Sequence, residues 1–447
     1  MSKDIIVKKG LDINLVGDAE KTLDISKHSK FHSVYPEDFH GVYPKLTVKA
    51  NDNVNAGDVL FYDKNDEEVK FVSPVSGKIS EIKRGERRKV ISIDILADKN
   101  IQYKNLGELD SKASKGKIIE YLLSSGLWPF IKQRPYDVIA DHKVSPKAIF
   151  VSGFSSAPLS ADLDFISKDY QDKIQTAIDV LSKLTDGEIH MSIRKNSDST
   201  LSSLKNITTH NVSGPHPAGN VGTLINKVSP INKGEVAWTI ALQDLILIGS
   251  VIESGKFSSE RIVALVGSSI DNPRYIKTTI GSEMSTILGK GIKDNSRIIS
   301  GNVLTGKQSS INGHLDYYSN TITAIPEGND YDLFGWTRPI FDKISTSRAL
   351  TFSWLLPNKK FDLNTNTNGE HRAFVLTGSY EKVFPLDIFP MRILKACMYN
   401  DLAEMEALGM YEVAPEDFAL TEFICVSKQP HQEIIRKGLD EMKKELG

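Results

Sequence analysis

The sequence predicts a multidomain protein that combines α/β and α+β folds. Strand-like runs separated by turn residues fill the first hundred residues, strands then alternate with helices, and helical periodicity dominates the end of the chain. At 447 residues the chain has room for about three domains of roughly 150 residues each. The changes of pattern place domain boundaries that give residues 1–100, 101–255, 256–325 and 326–447.

Composition restricts the class of protein. Hydrophobic residues make up 40% and charged residues 25%, as in soluble globular proteins, and the net charge of −2 favours no contact with nucleic acid. Only Cys397 and Cys425 occur, so we expect no disulfide framework. The apolar run 236–252 carries Gln243 and Asp244 near its middle, and a central Asp costs about 2.5–3.5 kcal/mol on membrane insertion. We therefore interpret this run as a buried helix and expect no transmembrane segment.

Residues 1–100 have the pattern of a β domain. Runs 59–61 and 90–96 are strand-like, and 71–79 has the pattern of a strand, a sharp turn and a returning strand. The order VKANDNVNAGDVLF…FVSPVSGKISEI resembles the barrel-sandwich fold of biotinyl and lipoyl carriers. Those carriers present a modified lysine in a tight hairpin, but Lys64 lacks the surrounding sequence, so we expect the fold without its cofactor.

The next two segments mix strands and helices. In residues 101–255 we expect a helix at 117–125, a strand at 148–151, a helix at 166–184, a strand at 188–193 and a helix at 236–252. This alternation predicts a mostly parallel, Rossmann-like sheet. In residues 256–325 we expect strands at 261–267, 274–279 and 297–300 with a helix at 284–288. From 326 an irregular, aromatic-rich region precedes helices at 390–408 and 432–446.

The most distinctive stretch is NVSGPHPAGNVG at 211–222. Gly214, Gly219 and Gly222 permit backbone geometry that other residues cannot adopt, and prolines stand on both sides of His216. We predict a shaped loop with exposed main-chain amides that leads into a buried helix. Such a loop is usually a ligand or docking loop; the alternative is a tight crossover that merely needs glycine.

Other chemical patterns are incomplete. GNVLTGKQ at 301–308 nearly matches a phosphate-binding loop, but Gln308 stands where a hydroxyl residue would hold Mg²⁺, so we interpret the match as chance. His28, His32 and His40 lie close in sequence, yet their turn-rich context does not suit a metal, and we expect no metal site.

The densest positive cluster is KRGERRK at 83–89. A charged hairpin tip is the simplest interpretation. The alternative is a contact with anionic lipid or with an acidic neighbouring protein.

Ordered motifs give a resemblance over essentially the whole chain. The motifs are KKGLDINL, FVSPVSGKISEIKRG, SSGLWPFIKQRP, GPHPAGNVGT, RIISGNVLTG, LFGW, TNTNGEHR, YEKVFPLDI and EDFALTEFICVSK. The chain resembles the A subunit of the bacterial Na⁺-translocating NADH:quinone oxidoreductase. The resemblance implies a barrel-sandwich domain, a Rossmann-like domain, a small β-grasp-like (SLBB) domain and a C-terminal helical region. Its fold relatives are the flavin-binding subunit of respiratory complex I and the C subunit of the Rnf complex.

The resemblance also implies partners and a location. It implies a peripheral subunit on the cytoplasmic face of the bacterial inner membrane, in a pump that passes electrons from NADH to ubiquinone and exports Na⁺. The other subunits of the pump, including its membrane subunits, would be the partners, and the isolated chain would have no activity.

The chain departs from its flavin-binding relatives at 126–130. Those relatives carry a GRGGAG-type loop that lets the backbone approach the flavin phosphate, whereas Trp128 and Phe130 are bulky and Pro129 has no amide donor. The relatives also cluster cysteines in the C-terminal region, where this chain has two. Because an iron–sulfur cluster generally needs four thiolates, we expect no cluster. Because residues 126–130 would hinder a flavin phosphate, we expect no flavin either, and no tightly bound cofactor.

Two functions remain open. The first is a part in the quinone-reduction step coupled to Na⁺ export, with ubiquinone in a largely apolar pocket. The candidate quinone-binding residues are Gly214, His216, Gly219, Gly222 and Trp238. The second is a non-catalytic docking subunit of the same complex that binds no small molecule. A free-standing NADH–flavin dehydrogenase is least favoured, because its nucleotide fingerprint is missing from the sequence.

Overall fold

The computed structural model describes residues 2–110, 112–328, 343–346, 353–356, 358–375 and 378–447. The LFGW motif at 333–336 lies outside the described residues. Within them the strands are β1 (Asp4–Ile6), β2 (Glu20–Ile25), β3 (Phe31–Val34), β4 (Pro44–Leu46), β5 (Asn53–Val54), β6 (Val59–Asp63), β7 (Asp66–Val72), β8 (Gly77–Arg84), β9 (Val90–Ala97), β10 (Lys132–Arg134), β11 (Val138–Ile139), β12 (Ile149–Ser152), β13 (Ile189–Arg194), β14 (Thr208–Ser213), β15 (Ala237–Ala241), β16 (Glu260–Val266), β17 (Arg274–Thr279), β18 (Ser296–Ser300), β19 (Lys307–Ser309) and β20 (Thr321–Pro326). The α-helices are α1 (Lys115–Ser124), α2 (Leu163–Ser167), α3 (Gln171–Leu181), α4 (Val221–Val228), α5 (Leu242–Ser254), α6 (Met284–Leu288), α7 (Tyr380–Val383), α8 (Pro390–Tyr399), α9 (Leu402–Ala407), α10 (Ala419–Phe423) and α11 (His431–Leu446).

Two small antiparallel sheets form the predicted barrel-sandwich. One has the strand order β3-β9-β8-β5 and the other β4-β6-β7. Phe61, Phe71 and Ile95 are fully buried between them, and the two phenylalanine rings stack at 4.5 Å. Alternate side chains of each strand thus supply one shared core.

The α/β part has a seven-stranded sheet in the order β1-β14-β13-β12-β15-β10-β11. Strands β1 and β12 to β15 pair in parallel, while β10 and β11 add an antiparallel edge. The chain passes from β12 outward in one direction and then returns to β15 on the other side of β12. This change of direction is the topological switch point beside which open α/β sheets bind ligands.

The predicted helix at 236–252 is wrong in its first part. Ala237–Ala241 is β15, and the helix α5 begins only at Leu242. Strand β15 lies between β12 and β10, and four of its five residues are buried. A strand buried on both faces has a continuous apolar run, which periodicity alone does not separate from a buried helix.

Two other predicted helices are each divided. The 166–184 helix is α2 and α3, with a break at 168–170. The 390–408 helix is α8 and α9, because Asn400 adopts a left-handed φ of 53° and Asp401 then caps α9 by accepting from Glu404 N at 3.0 Å. An Asn in this conformation ends a helix without the steric cost that most residues would meet.

The third sheet has the order β19-β18-β20-β16-β17-β2. Its strand at 274–279 and its helix α6 at 284–288 coincide with the predictions. The N-terminal residues join this part to the others, since β2 pairs with β17 here and β1 pairs with β14 in the α/β sheet. The first two strands of the chain therefore belong to two other sheets, and the barrel-sandwich begins only after them.

A group of aromatic side chains lies where these parts meet. We call Trp128, Phe130, Trp238, Tyr317 and Tyr318 the aromatic junction. Trp128 meets Trp238 edge to face at 5.4 Å, and Phe130 stacks on Tyr317 at 5.0 Å. Tyr318 Oη donates to the carbonyl of Pro129 at 2.7 Å.

The barrel-sandwich touches the same junction. Phe39 packs on the Tyr317 ring at 4.7 Å, and a Cβ at Gly126 would lie 2.5 Å from Val72 Cγ1. Gly126 also has a φ of +71°, which glycine adopts at low cost. The space around 126–130 is therefore filled by its own side chains, by Val72 of the barrel-sandwich, by Trp238 of the α/β sheet and by Tyr317 and Tyr318.

Replacing Trp128 by alanine tests this packing. Trp128 is fully buried, so Trp128→Ala should lower the free energy of unfolding by about 3–5 kcal/mol, measured by urea denaturation. Trp354 is 61% exposed, and Trp354→Ala is the control, with an expected change within about 0.5 kcal/mol. Equal stability of the two variants would contradict the packing described here.

Candidate functional site

The glycine-rich loop lies at the carboxyl edge of the parallel sheet. It is shorter than predicted, because 211–213 belong to β14 and α4 begins at Val221, which leaves 214–220 as the loop. The loop crosses the end of β12, where Ser152 Oγ donates to the Gly219 carbonyl at 2.5 Å. It is thus next to the switch point of the sheet.

The prediction of exposed main-chain amides is wrong. The His216 amide donates to Asp12 Oδ1 at 2.9 Å, and the Gly219 amide donates to Ser156 Oγ at 2.8 Å. Two further amides bond to carbonyls within the loop. Residues 216–219 are buried, so their polar backbone groups must find partners inside the protein.

Two of the loop glycines allow close approach of other backbone segments. Gly214 has a φ of +133°, and a Cβ there would clash with the carbonyl oxygen of Val7. A Cβ at Gly219 would lie 2.6 Å from Ser156 N. These contacts favour the alternative that the loop needs glycine for a tight crossover.

Gly222, in the first turn of helix α4, lies against a buried ion pair. Arg134 Nη1 donates to Asp417 Oδ2 at 2.7 Å, and both side chains are 1% exposed. Arg134 Nη2 also reaches Glu416 Oε1 at 2.9 Å. A Cβ at Gly222 would clash with Asp417 Oδ1 and lie 2.6 Å from Arg134 Nη1. The C-terminal region is thus fastened to the α/β sheet at this glycine.

His216 is the side chain of this loop that could bind a ligand, through a ring nitrogen. It is 3% exposed, and burial lowers its pKa to about 4, so the ring is neutral near neutral pH. Its Nδ1 lies 3.1 Å from Ser156 Oγ, and its Nε2 has no hydrogen-bond partner among the described residues. A neutral imidazole in this setting can donate or accept one further hydrogen bond.

Trp238 does not join His216. Trp238 pairs with Ile149 at the start of β12, whereas the loop contacts Ser152 at its end. Three residues at about 3.3 Å each separate these positions by roughly 10 Å. The structure therefore brings Gly214, His216 and Gly219 into one loop, places Gly222 in the first turn of the helix that follows it, and places Trp238 in the aromatic junction.

Sequence reasoning missed three residues that hold this loop. Ser156, Arg134 and Asp417 are far from it in the chain, and no local pattern marks them. SSGLWPFIKQRP does contain Arg134 and EDFALTEFICVSK contains Asp417, but the ion pair spans 283 residues of sequence. Only the folded arrangement shows that these residues converge on the loop.

The residues of the suspected phosphate and metal sites contact other residues of the protein. Residues 307–309 are a strand and not the helix of a phosphate site, and Lys307 Nζ lies 3.1 Å from Asp38 Oδ1. His32 Nε2 bonds Thr279 Oγ1 at 2.8 Å, and His40 lies 2.7 Å from Asp440. In the part of the chain that the structure describes, no three His, Cys, Asp or Glu side chains are arranged to hold a metal.

The basic cluster 83–89 is the tip of the β8–β9 hairpin, as predicted. Arg87 and Arg88 have positive φ values of 51° and 61°. Arg84, Arg87, Arg88 and Lys89 are exposed, and the described residues place no carboxylate within ion-pair distance of them. Lys83 alone is paired, with Asp94 at 2.7 Å. Among the described residues, the tip thus presents four uncompensated cations.

Gly222→Ala tests the joint between α4 and the ion pair. The new Cβ should displace Arg134 or Asp417, and disrupting a buried pair costs about 3–5 kcal/mol, so we expect a loss of about 3 kcal/mol of unfolding free energy in urea denaturation. Gly116, in α1, has open space around its Cβ position. Gly116→Ala should therefore leave stability unchanged or slightly raised. A Gly222→Ala variant as stable as that control would contradict the contact described here between α4 and the ion pair.

Comparison with known proteins identifies three domain families between residues 5 and 310. Family descriptions match residues 5–98 (NqrA N-terminal barrel-sandwich hybrid domain), 113–257 (NqrA second alpha/beta domain) and 262–310 (NQRA C-terminal domain, SLBB). These matches confirm the predicted domain folds. None of the helices that the structure describes combines the length and the apolar character needed to cross a membrane.

Full-length relatives carry one name. The chain is 36% identical to the A subunit of the Na(+)-translocating NADH-quinone reductase of Neisseria meningitidis serogroup B, over 99% of this chain and 100% of that protein. It is 35% and 34% identical to the A subunits of Hahella chejuensis and Yersinia pestis over the same shares. A crystal structure of an H2-reduced NAD+-reducing [NiFe]-hydrogenase aligns over 77% of this chain and 66% of that one at 9% identity, with a TM-score of 0.39, too low to carry an inference. The chain belongs to the family of A subunits of the Na⁺-translocating NADH-quinone reductase.

Proposed function

We propose that this chain takes part in the quinone-reduction step of the Na⁺-translocating NADH-quinone reductase, a step coupled to Na⁺ export, and that its quinone is ubiquinone. The supporting observation is the neutral His216 ring, held at the sheet edge where α/β proteins bind ligands. A ring nitrogen without a partner among the described residues can supply a hydrogen bond to a quinone carbonyl. Gly214, Gly219 and Gly222 give the loop its shape, and Trp238 supports the domain arrangement from the aromatic junction.

The quinone site in this proposal is completed by another subunit. His216 is 3% exposed, so this chain alone presents little of the imidazole to a ligand, and the proposal assigns the rest of the surface around the quinone ring to a neighbouring subunit. As part of this complex the chain has other subunits as partners, and we propose that membrane subunits are among them. In this arrangement the chain is peripheral on the cytoplasmic face of the bacterial inner membrane, and the isolated chain has no activity.

A photoreactive ubiquinone analogue tests the contact. It should label this chain near His216 in the assembled complex, and His216→Asn should reduce the labelling by up to about tenfold, because one hydrogen bond to the ligand is lost. Asn retains an acceptor near the position of Nδ1. The control is His28→Asn, since His28 is exposed and lies in a different part of the chain. Labelling that is spread evenly over the surface and insensitive to His216→Asn would contradict the proposal.

We further propose that this chain binds no flavin, no iron–sulfur cluster and no other cofactor tightly. Support comes from packing, since Trp128 and Phe130 are buried in the aromatic junction. Both cysteines are also engaged by neighbours: Cys425 Sγ lies 3.0 Å from Tyr380 Oη, and Cys397 Sγ lies 3.9 Å from the sulfur of Met410. Burial raises the pKa of the Cys397 thiol to about 12, so it is a poor thiolate ligand.

A second candidate function is a docking role in which the chain binds no small molecule. The observation that favours it is the cationic tip at 83–89, which carries four exposed cations without carboxylate partners in the described residues. Such a tip suits an acidic surface on a neighbouring subunit, where complementary charge raises the association rate. A docking contact at the tip uses other residues than the quinone contact, and the two functions differ in whether a small molecule binds this chain.

Charge reversal tests the docking role. The triple variant Arg84→Glu, Arg87→Glu, Arg88→Glu should weaken assembly with the membrane subunits, seen as loss of this chain from the affinity-purified complex, most strongly at low salt. A matched control reverses three exposed lysines elsewhere, Lys99, Lys117 and Lys168. If both triple variants assemble like the wild type, the tip is not a docking contact.

A further inference from the structure

We infer that Ser156 is a positioning residue that holds the His216 ring in the tautomer with its proton on Nε2. The inference deepens the proposed function and rests on it for its biological meaning, because a proton on Nε2 makes the ring a donor toward a quinone carbonyl. The support is the geometry of the two loops that carry these residues.

The Ser156 hydroxyl has one proton and two partners. The Gly219 amide donates to Oγ at 2.8 Å, so this contact occupies an acceptor lone pair of the hydroxyl. The second partner is His216 Nδ1 at 3.1 Å. Oγ has a second lone pair, but if it accepted from a proton on Nδ1, the hydroxyl proton would have no acceptor among the described residues. Donation of the hydroxyl proton to Nδ1 gives that proton a partner, so we assign Nδ1 as the unprotonated ring nitrogen.

A neutral ring then carries its remaining proton on Nε2. The surroundings keep the ring neutral: burial lowers its pKa to about 4, and the nearby carboxylate of Asp12 accepts from the His216 main-chain amide instead of from the ring. The nitrogen that faces away from Ser156 is thus a donor.

The contact between the two loops is built to be rigid. Ser152 Oγ lies within hydrogen-bond distance of both the Gly219 carbonyl, at 2.5 Å, and the Phe154 carbonyl, at 2.7 Å. A Cβ at Gly219 would lie 2.6 Å from Ser156 N, so any larger residue would separate the loops. Glycine at this position lets one serine bond both the loop backbone and the imidazole.

Nitrogen-detected imidazole NMR of the full chain with ¹⁵N-labelled histidine tests the assignment. His216 is one of ten histidines, and its signals are identified by their loss in His216→Asn. We expect the pattern of a neutral ring protonated on Nε2, retained in Ser156→Thr, which keeps a hydroxyl. In Ser156→Asp the carboxylate can only accept, so the proton should move to Nδ1.

The wild-type spectrum alone decides the inference if Ser156→Asp does not fold. A wild-type ring protonated on Nδ1, or on both nitrogens near neutral pH, would overturn it, as would an unshifted proton in a folded Ser156→Asp chain. Photolabelling by the ubiquinone analogue should fall about tenfold in the Ser156→Asp complex. If the proton moves but labelling does not fall, the tautomer assignment stands and the proposed quinone contact fails.

Discussion

The packing of residues 126–130 against the barrel-sandwich, the α/β sheet and the part that contains the third sheet is the constraint on which the rest of the structure depends. Gly126 brings the backbone against the barrel-sandwich, and the aromatic residues that follow it meet Trp238 of the α/β sheet and Tyr317 in the connection between β19 and β20 of the third sheet. Close-packed aromatic contacts have few alternative arrangements, so this junction fixes how the parts are placed. The same packing supports the proposal that no flavin phosphate is held here.

The glycine-rich loop depends on that placement. Other parts of the chain come close at three glycines of the motif: Val7 at Gly214, Ser156 of the loop after β12 at Gly219, and Asp417 of the ion pair at Gly222, in the helix that follows. The motif therefore encodes a joint between distant parts of the chain. His216 lies inside this joint. The hydrogen bond that its ring makes there is to Ser156, which the joint places beside it.

The sequence was informative where structure is local. Strand 274–279 and helix 284–288 follow from residue pattern and turn signals, and the barrel-sandwich follows from a recognisable strand order. The start of α5 was missed because a strand buried on both faces resembles a buried helix. The Arg134–Asp417 pair and the Ser156–His216 contact could not be predicted from the sequence. The first joins residues 283 positions apart and the second residues 60 positions apart, and only tertiary packing brings them together. The roles of the loop glycines were predicted only as alternatives, because glycine permits both ligand approach and backbone approach.

Titration of the purified full-length chain with FMN tests the central claim most directly. The aromatic junction predicts no flavin absorption band in the protein as isolated and no saturable quenching of its tryptophan fluorescence by added FMN, because Trp128 and Phe130 occupy the space. A stoichiometric flavin band, or saturable quenching that Trp128→Ala alters, would contradict the account.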